Sequence, residues 1–228
     1  MRIDLHTHTK ASTDSWIPPE KLCPIAKMRG LHGVAITDHD ATAGWKKAKE
    51  GAKKAGINLV LGEEVGVKPA GKRIGEIIGL FMNEEVSGER KTAVEVIDEL
   101  KAQDAVVVLP HPFDVVRNVF PEEELRELAV KVDAIEVFNS HAMFQEVNTK
   151  ADAFADEFRL PKCAGSDAHS TFEVGLAYTE AHADDLEEFR KRLLAGKTIV
   201  YGRRRPFYLK LMPFFARKRN KYFGRMKF

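Results

Sequence analysis

Cysteine is almost absent: Cys23 and Cys163 are the only two, far apart and in no metal-binding spacing. That excludes a disulfide-stapled scaffold, a cysteine-ligated zinc module and an iron–sulfur protein. In a reducing compartment both are expected as buried, reduced thiols. Also missing is any apolar run near the ~18 residues needed to cross a bilayer. The opening MRIDLHTHT has no apolar signal-peptide core, so a mature, cytoplasmic chain is expected. No repeat or low-complexity linker interrupts the sequence, and one domain is the default for 228 residues. The last absence is of acid: from Tyr201 onward there is no Asp or Glu.

What the chain does have is alternation. Short runs rich in Ile and Val lie at Arg2–Leu5, Gly33–Thr37, Asn58–Leu61, Ile74–Phe81, Ala105–Leu109, Ala134–Phe138, Lys162–Ala164 and Val174–Tyr178. Their length and β-branched content predict strands. Helices are predicted between most of them, over Pro18–Met28, Thr42–Ala55, Glu89–Gln103, Glu122–Val130, Met143–Phe158 and Asp184–Ala195. Proline suits a first helical turn, and Gly56 a helix end. Asn58–Leu61 and Ile74–Phe81 are close enough to be a local hairpin. Strand followed by helix, repeated, implies a parallel sheet covered by helices. Six or seven such units suit a compact α/β barrel better than an open sheet, which the pattern alone leaves open.

The histidines fall on one edge of this pattern. Of eight, His6, His8, His39, His111, His141 and His169 sit at or just beyond the C-terminal end of a predicted strand; His32 and His182 do not. Barrel active sites are built at that edge. His6 and His8 are two apart on an extended strand, so their side chains share a face, roughly 6–7 Å apart at their origins. Asp14 follows in the next loop. The second strand ends in Asp38-His39-Asp40, three titratable groups whose burial is costly without metal or hydrogen bonds; Asp40 equally fits a turn near a helix start. Glu63 and Glu64 follow Gly62, and a carboxylate there can bridge two ions. Alternation does not choose between them, because Gly62 permits a bulge. Pro110-His111-Pro112 is stiff, and Asp167-Ala168-His169 follows small residues that let backbone approach closely. Each feature alone fits a capped strand or a solvated turn. Six together do not.

Nitrogen and oxygen ligands without cysteine favour Zn, Mn or Fe. Roughly ten such atoms exceed one ion's needs, so two or three divalent ions are expected, an arrangement suited to phosphoryl displacement.

Here the chain resembles the polymerase-and-histidinol-phosphatase (PHP) superfamily of metal-dependent phosphoesterases. The likeness runs from residue 1 to about 200 and rests on DLHTHT at Asp4–Thr9, TDHD at Thr37–Asp40, GEE at Gly62–Glu64, HP at His111–Pro112, EVFNSH ending at His141, and GSDAH at Gly165–His169. The resemblance implies a distorted seven-stranded (β/α) TIM-like barrel over residues 1–202 and a trinuclear site. It implies that His6, His8, Glu64 and Asp167 hold one ion, and that Asp14, His39 and His169 hold another. Glu64 would bridge to a third, held with His111 and His141. The family's Gly-x-Glu pattern selects Glu64. The implied reaction is hydrolysis of a phosphate ester by hydroxide held between metals, with no protein nucleophile. Asp38 is a candidate for orienting a ligand histidine or a water. Only 46 residues separate Glu64 from His111, so the helical insert of nucleic-acid-processing relatives looks absent.

Residues 203–228 form a basic, aromatic extension with ten Lys or Arg from Arg203 onward, on a body whose first 200 residues carry a net charge of −8. Three readings stand: packing of the aromatics on the barrel, contact with nucleic acid, or attachment to an anionic surface. Arg203, Arg204 and Arg205 are candidates for binding substrate phosphate. The expected substrate is a phosphorylated small molecule, a nucleotide or a nucleic-acid end. A metal-dependent amide hydrolase and a non-catalytic nucleic-acid-binding module are the alternatives.

Overall fold

The computed structural model describes residues 1–206. The expectations for the tail beyond Pro206 lie outside the described residues.

Among the described residues, nine strands form one mixed sheet. β1 (Arg2–Asp4), β2 (Gly33–Ile36) and β3 (Asn58–Val67) run parallel. β4 (Gly75–Leu80) turns back against β3 as the expected hairpin and pairs antiparallel with β5 (Val106–Leu109). β6 (Ala134–Asn139) and β7 (Lys162–Gly165) then continue parallel to β5. β8 (Ala177–Glu180) lies antiparallel along β1, and β9 (Ile199–Gly202) along β8. The two ends of the curl approach each other where Thr7 bridges Ala168 and His8 N donates to Ala168 O at 2.9 Å. The result is a nearly closed barrel, with a reversed β4 and an added β8–β9 pair as its distortions. β9 has no counterpart among the predicted strands, because its four exposed or half-buried residues carry no alternation.

Six helices among the described residues cover the sheet: α1 (Pro19–Met28), α2 (Trp45–Ala55), α3 (Ala93–Ala102), α4 (Glu122–Ala129), α5 (Gln145–Phe158) and α6 (Leu186–Leu194). α3 begins with a capping box in which Thr92 and Glu95 satisfy each other's backbone N–H. α2 ends at Gly56, whose φ of +62° is the left-handed cap that glycine takes without strain. It starts at Trp45, not Thr42, whose N–H and hydroxyl both donate to Glu85.

The barrel interior is apolar at one end only. Ile3, Leu5, Ala35, Val60, Ile78, Val106, Val108 and Cys163 pack together, with Phe189 and Leu193 of α6 among them. Burying each large side chain stabilises the fold by roughly 1.5–3 kcal/mol. Beyond this floor the buried residues turn polar: His6 and His8 follow Ile3 and Leu5 along the chain, and Glu64 follows Val60. Both cysteines are buried and free.

Candidate metal centre

β3 continues without a bulge through Gly62, keeping regular register with β4 from Gly62 to Val67. Alternation from Val60 therefore carries Glu64 inward, while Glu63 turns away and accepts from Val86 N at 2.9 Å. Glu64 Oε2 lies 3.4 Å from both His6 Nε2 and His8 Nε2 and 2.9 Å from His39 Nδ1. Glu64 Oε1 lies 2.9 Å from His111 Nε2. Asp167 Oδ1 is 3.2 Å from His8 Nε2 and 3.7 Å from His6 Nε2. Asp14 spans the other side, 3.6 Å from His39 Nε2 and 3.5 Å from His169 Nε2. Eight of the nine expected ligands thus converge, from the segments that follow β1, β2, β5 and β7 and from within β3. His141 comes to the centre elsewhere: its imidazole groups with Asp167 and His169, not with Glu64 and His111. Its Nδ1 is 3.2 Å from Arg117 Nη2, and its Nε2 contacts Glu173 at 3.0 Å and Arg205.

The outer nitrogens of three imidazoles are tied down. His6 Nδ1 is 3.0 Å from Glu136 Oε1, and His169 Nδ1 is 2.8 Å from Asp167 O. His8 Nδ1 is 3.4 Å from Ser12 Oγ, which donates to Asp38 Oδ1 at 2.9 Å. A proton on each Nδ1 leaves the Nε2 lone pair facing inward, the tautomer that metal-binding histidines take. Asp38 touches no histidine. It accepts from Thr9 and Ser12 and acts on His8 through the serine.

Several backbones here are unusual. His111 (φ 29°) and Asp167 (φ 54°) lie in the left-handed region that non-glycine residues rarely enter. Such strain gathers at functional sites, where the surroundings over-determine it. Asp167 N donates to His6 O at 2.7 Å and is held there.

The donor set fits divalent cations. Glu64 Oε2 and Asp167 Oδ1 are buried and accept no well-formed hydrogen bond, despite the imidazole nitrogens around them. Leaving such oxygens unmade is expensive unless a cation takes their lone pairs. Protons partly fill that place in the bare protein. Burial pushes His39 down, but the charges of Glu64 and Asp14 outweigh it and hold its pKa up at about 10. His8 is driven down to about 3 by burial and by the neighbouring His39 and His169. Burial would raise Glu64 and Asp167; the surrounding imidazoles, and Arg117 for Asp167, keep both well below the carboxylate range.

The PHP domain family matches residues 4–120, and a PHP-associated region matches 145–198. The chain belongs to the PHP domain family. Membership bears out the motif resemblance and the class of enzyme, a metal-dependent phosphoesterase. A PHP-like phosphoesterase-containing two-domain protein of Bacteroides vulgatus superposes with a TM-score of 0.73 at 21% identity, over 95% of this chain and 69% of that one. An uncharacterised protein of Methanocaldococcus jannaschii is 33% identical over 82% of this chain and 73% of its own length. A 5′-3′ exoribonuclease of Haemophilus influenzae is 32% identical over 44% of this chain and 40% of its own.

Above the PHP centre opens a cavity lined by Asp14, His39, His141 and His169 together with Arg73, Arg117 and Arg205. Of the three tail arginines, only Arg205 lines it. Arg204 donates to Met143 O at 2.6 Å, and Arg203 is exposed, its backbone N–H bonded to Leu176 O. Sequence reasoning missed Arg73, Glu76, Arg117, Glu136 and Glu173. Glu136 was visible within the EVFNSH motif, as an acid at an inward strand position. Among the described residues no helix is long and apolar enough to cross a membrane.

Proposed function

We propose that this protein hydrolyses phosphate esters at the end of a nucleotide or short single-stranded nucleic acid. In this reading His6, His8, Asp14, His39, Glu64, His111, Asp167 and His169 hold two or three divalent ions, of Mn, Zn or Fe type. His141 is the ninth residue of the set. The carrying observation is that three guanidinium groups share one cavity with this imidazole–carboxylate cluster. Bound ions supply an activated water at neutral pH and neutralise phosphate oxygens. Arg117 and Arg205 approach His141 from opposite ring edges. They present planar forks that match phosphate oxygens in pairs. Asp167 and Glu173 orient those forks while the cavity is open to solvent. Orientation of His6, His8 and His169 by Glu136, Ser12 and the Asp167 carbonyl fixes the inner face against which the ester sits.

The exoribonuclease relative supports a nucleic-acid substrate. An amide hydrolase finds less support, since a neutral carbonyl substrate gives three arginines nothing to bind. Phosphate release from mononucleotides, short 5′-phosphorylated RNA and sugar phosphates, with Mn-loaded and with chelated protein, tests the reading. Metal-dependent release from nucleotide or RNA is expected, and alanine at His8 or Asp167 should abolish it in a folded protein. Turnover retained by either variant at metal saturation would sink the assignment.

A further inference from the structure

Charge is unevenly placed around the barrel. Residues 1–56 carry ten Lys or Arg against six Asp or Glu, whereas residues 57–200 carry sixteen against twenty-eight. The cations gather on two neighbouring helices. Lys21 and Lys27 are exposed on α1, and Lys46, Lys49, Lys53 and Lys54 on α2; Glu20 and Glu50 are the acids of the pair. The helices cross closely, since a Cβ on Gly51 would stand 2.4 Å from Glu20 O. Their outer faces therefore form one surface.

The fold gains nothing from this pattern. Lys46 and Lys47 occupy the first turn of α2, where the helix dipole disfavours cations, and no acid stands there to offset them. Lys46 with Lys49, and Lys49 with Lys53, are like charges one turn apart, which weakens a helix. Among the described residues Lys46, Lys49, Lys53 and Lys54 meet no carboxylate, whereas Lys68, Lys91, Lys101, Lys150 and Lys162 each pair with one.

The surface begins beside the metal centre. A Cβ on Gly44, the residue before α2, would stand 3.0 Å from both Asp38 Oδ2 and Thr9 Oγ1. The loops carrying Asp14 and His39, which line the cavity, lead directly into α1 and α2. From that rim the 11 residues of α2 run about 16 Å to Gly56, just before β3 begins. A second cavity at this far end is lined by Lys27, His32 and Lys53. The loop carrying Arg117 leads instead into α4, whose first turn holds Glu122, Glu123 and Glu124. A polyanion leaving the first cavity is drawn toward α2 and repelled from α4.

We propose that the outer face of α1 and α2 is a track for the phosphate backbone of a single-stranded nucleic acid whose end lies in the cavity. The inference rests on the nucleic-acid reading above and adds the path of the strand. α2 exposes no large apolar side chain, so an anionic bilayer would gain only charge there.

The test is fluorescence anisotropy of the Mn-loaded full chain with a hydrolysis-resistant phosphorothioate RNA dodecamer, over a salt series. K46Q/K49Q/K53Q/K54Q is expected to bind about tenfold more weakly or worse. Its slope of log Kd against log salt should fall by about 2–3, since a single strand contributes about 0.7 per phosphate contact. The control K101Q/K131Q/K191Q/K197Q, with the same change in net charge on other faces, should bind within threefold of wild type. An unchanged slope in the first variant, an equal loss in the control, or a wild type that binds no RNA overturns the track. So does binding to phosphatidylserine–phosphatidylcholine vesicles that the first variant loses while it keeps its RNA affinity. Removal of like charges should leave the melting temperature at or above that of wild type; if the fourfold variant nonetheless fails to fold, K49Q/K53Q carries the test with a slope change of about 1–1.5. Phosphate release from a mononucleotide by wild type keeps the two readings apart. Release without RNA binding defeats the track alone. RNA binding that the first variant loses, with no release from any ester, defeats the catalytic reading alone.

Discussion

His6 Nδ1 lies 3.0 Å from Glu136 Oε1, and the other oxygen of Glu136 accepts from His111 N and Asn139 Nδ2, each at 2.9 Å. One buried carboxylate on β6 thus sets the ring of β1's histidine and the backbone carrying β5's. Removing it frees two proposed ligands at once. Glu136→Gln is expected to weaken metal affinity by roughly 10–100-fold, the usual scale for partners of ligand histidines. Isothermal titration with Mn(II) checks this. An affinity within twofold of wild type would show that Glu136 holds neither residue in place.

Gly165 passes so close to β1 that a Cβ there would stand 2.2 Å from His6 Cβ and 2.9 Å from Glu136 Oε1. Neither neighbour can retreat, since His6 Cβ is fixed by the strand and Glu136 is held by three donors. Gly165→Ala should destabilise by about 1–3 kcal/mol, as overpacking of a filled interior does. For a chain of this size, about 2–4 °C in melting temperature accompanies each kcal/mol. A melting temperature equal to wild type would contradict the close approach.

Glu63 carries a pH dependence of its own. Burial, with smaller contributions from Glu85, Asp40 and Asp38, pushes its pKa from the ordinary 4.5 up to about 8, against the hydrogen bond from Val86 N. The folded protein therefore holds this proton where the unfolded chain has lost it. Its contribution to stability is complete below about pH 4.5 and is lost as pH rises toward 8. Glu63→Gln has no such titration. Its stability relative to wild type should improve between pH 5 and pH 8, measured by urea unfolding at the two values. A difference independent of pH would mean that Glu63 is ionised in the fold.

The succession of most strands along the chain and the metal-type residues were legible because both depend on local pattern. A run of β-branched residues followed by a histidine or acid says where a strand ends and what stands there, and a barrel gathers such ends on one rim. Gly62 illustrates the limit. Its freedom to bulge left Glu63 and Glu64 equivalent by local reasoning; pairing with β4 removed that freedom and turned Glu64 inward. Asp38 reads as a partner for a histidine, yet Ser12 stands between it and His8. Arg203, Arg204 and Arg205 look alike in a row, but neighbours on an extended chain diverge, and only Arg205 turns toward the cavity.

By itself, then, the sequence determined the alternation of strands and helices, the edge that carries the chemistry and the kinds of ligand available, since periodicity and residue type are properties of single segments. Which imidazole meets which carboxylate was decided by tertiary structure alone. Glu76 arrives on a reversed strand, Arg117 on a loop after β5, and Glu173 after β7. Their positions follow from how the sheet curls and closes, a long-range condition that no local pattern encodes.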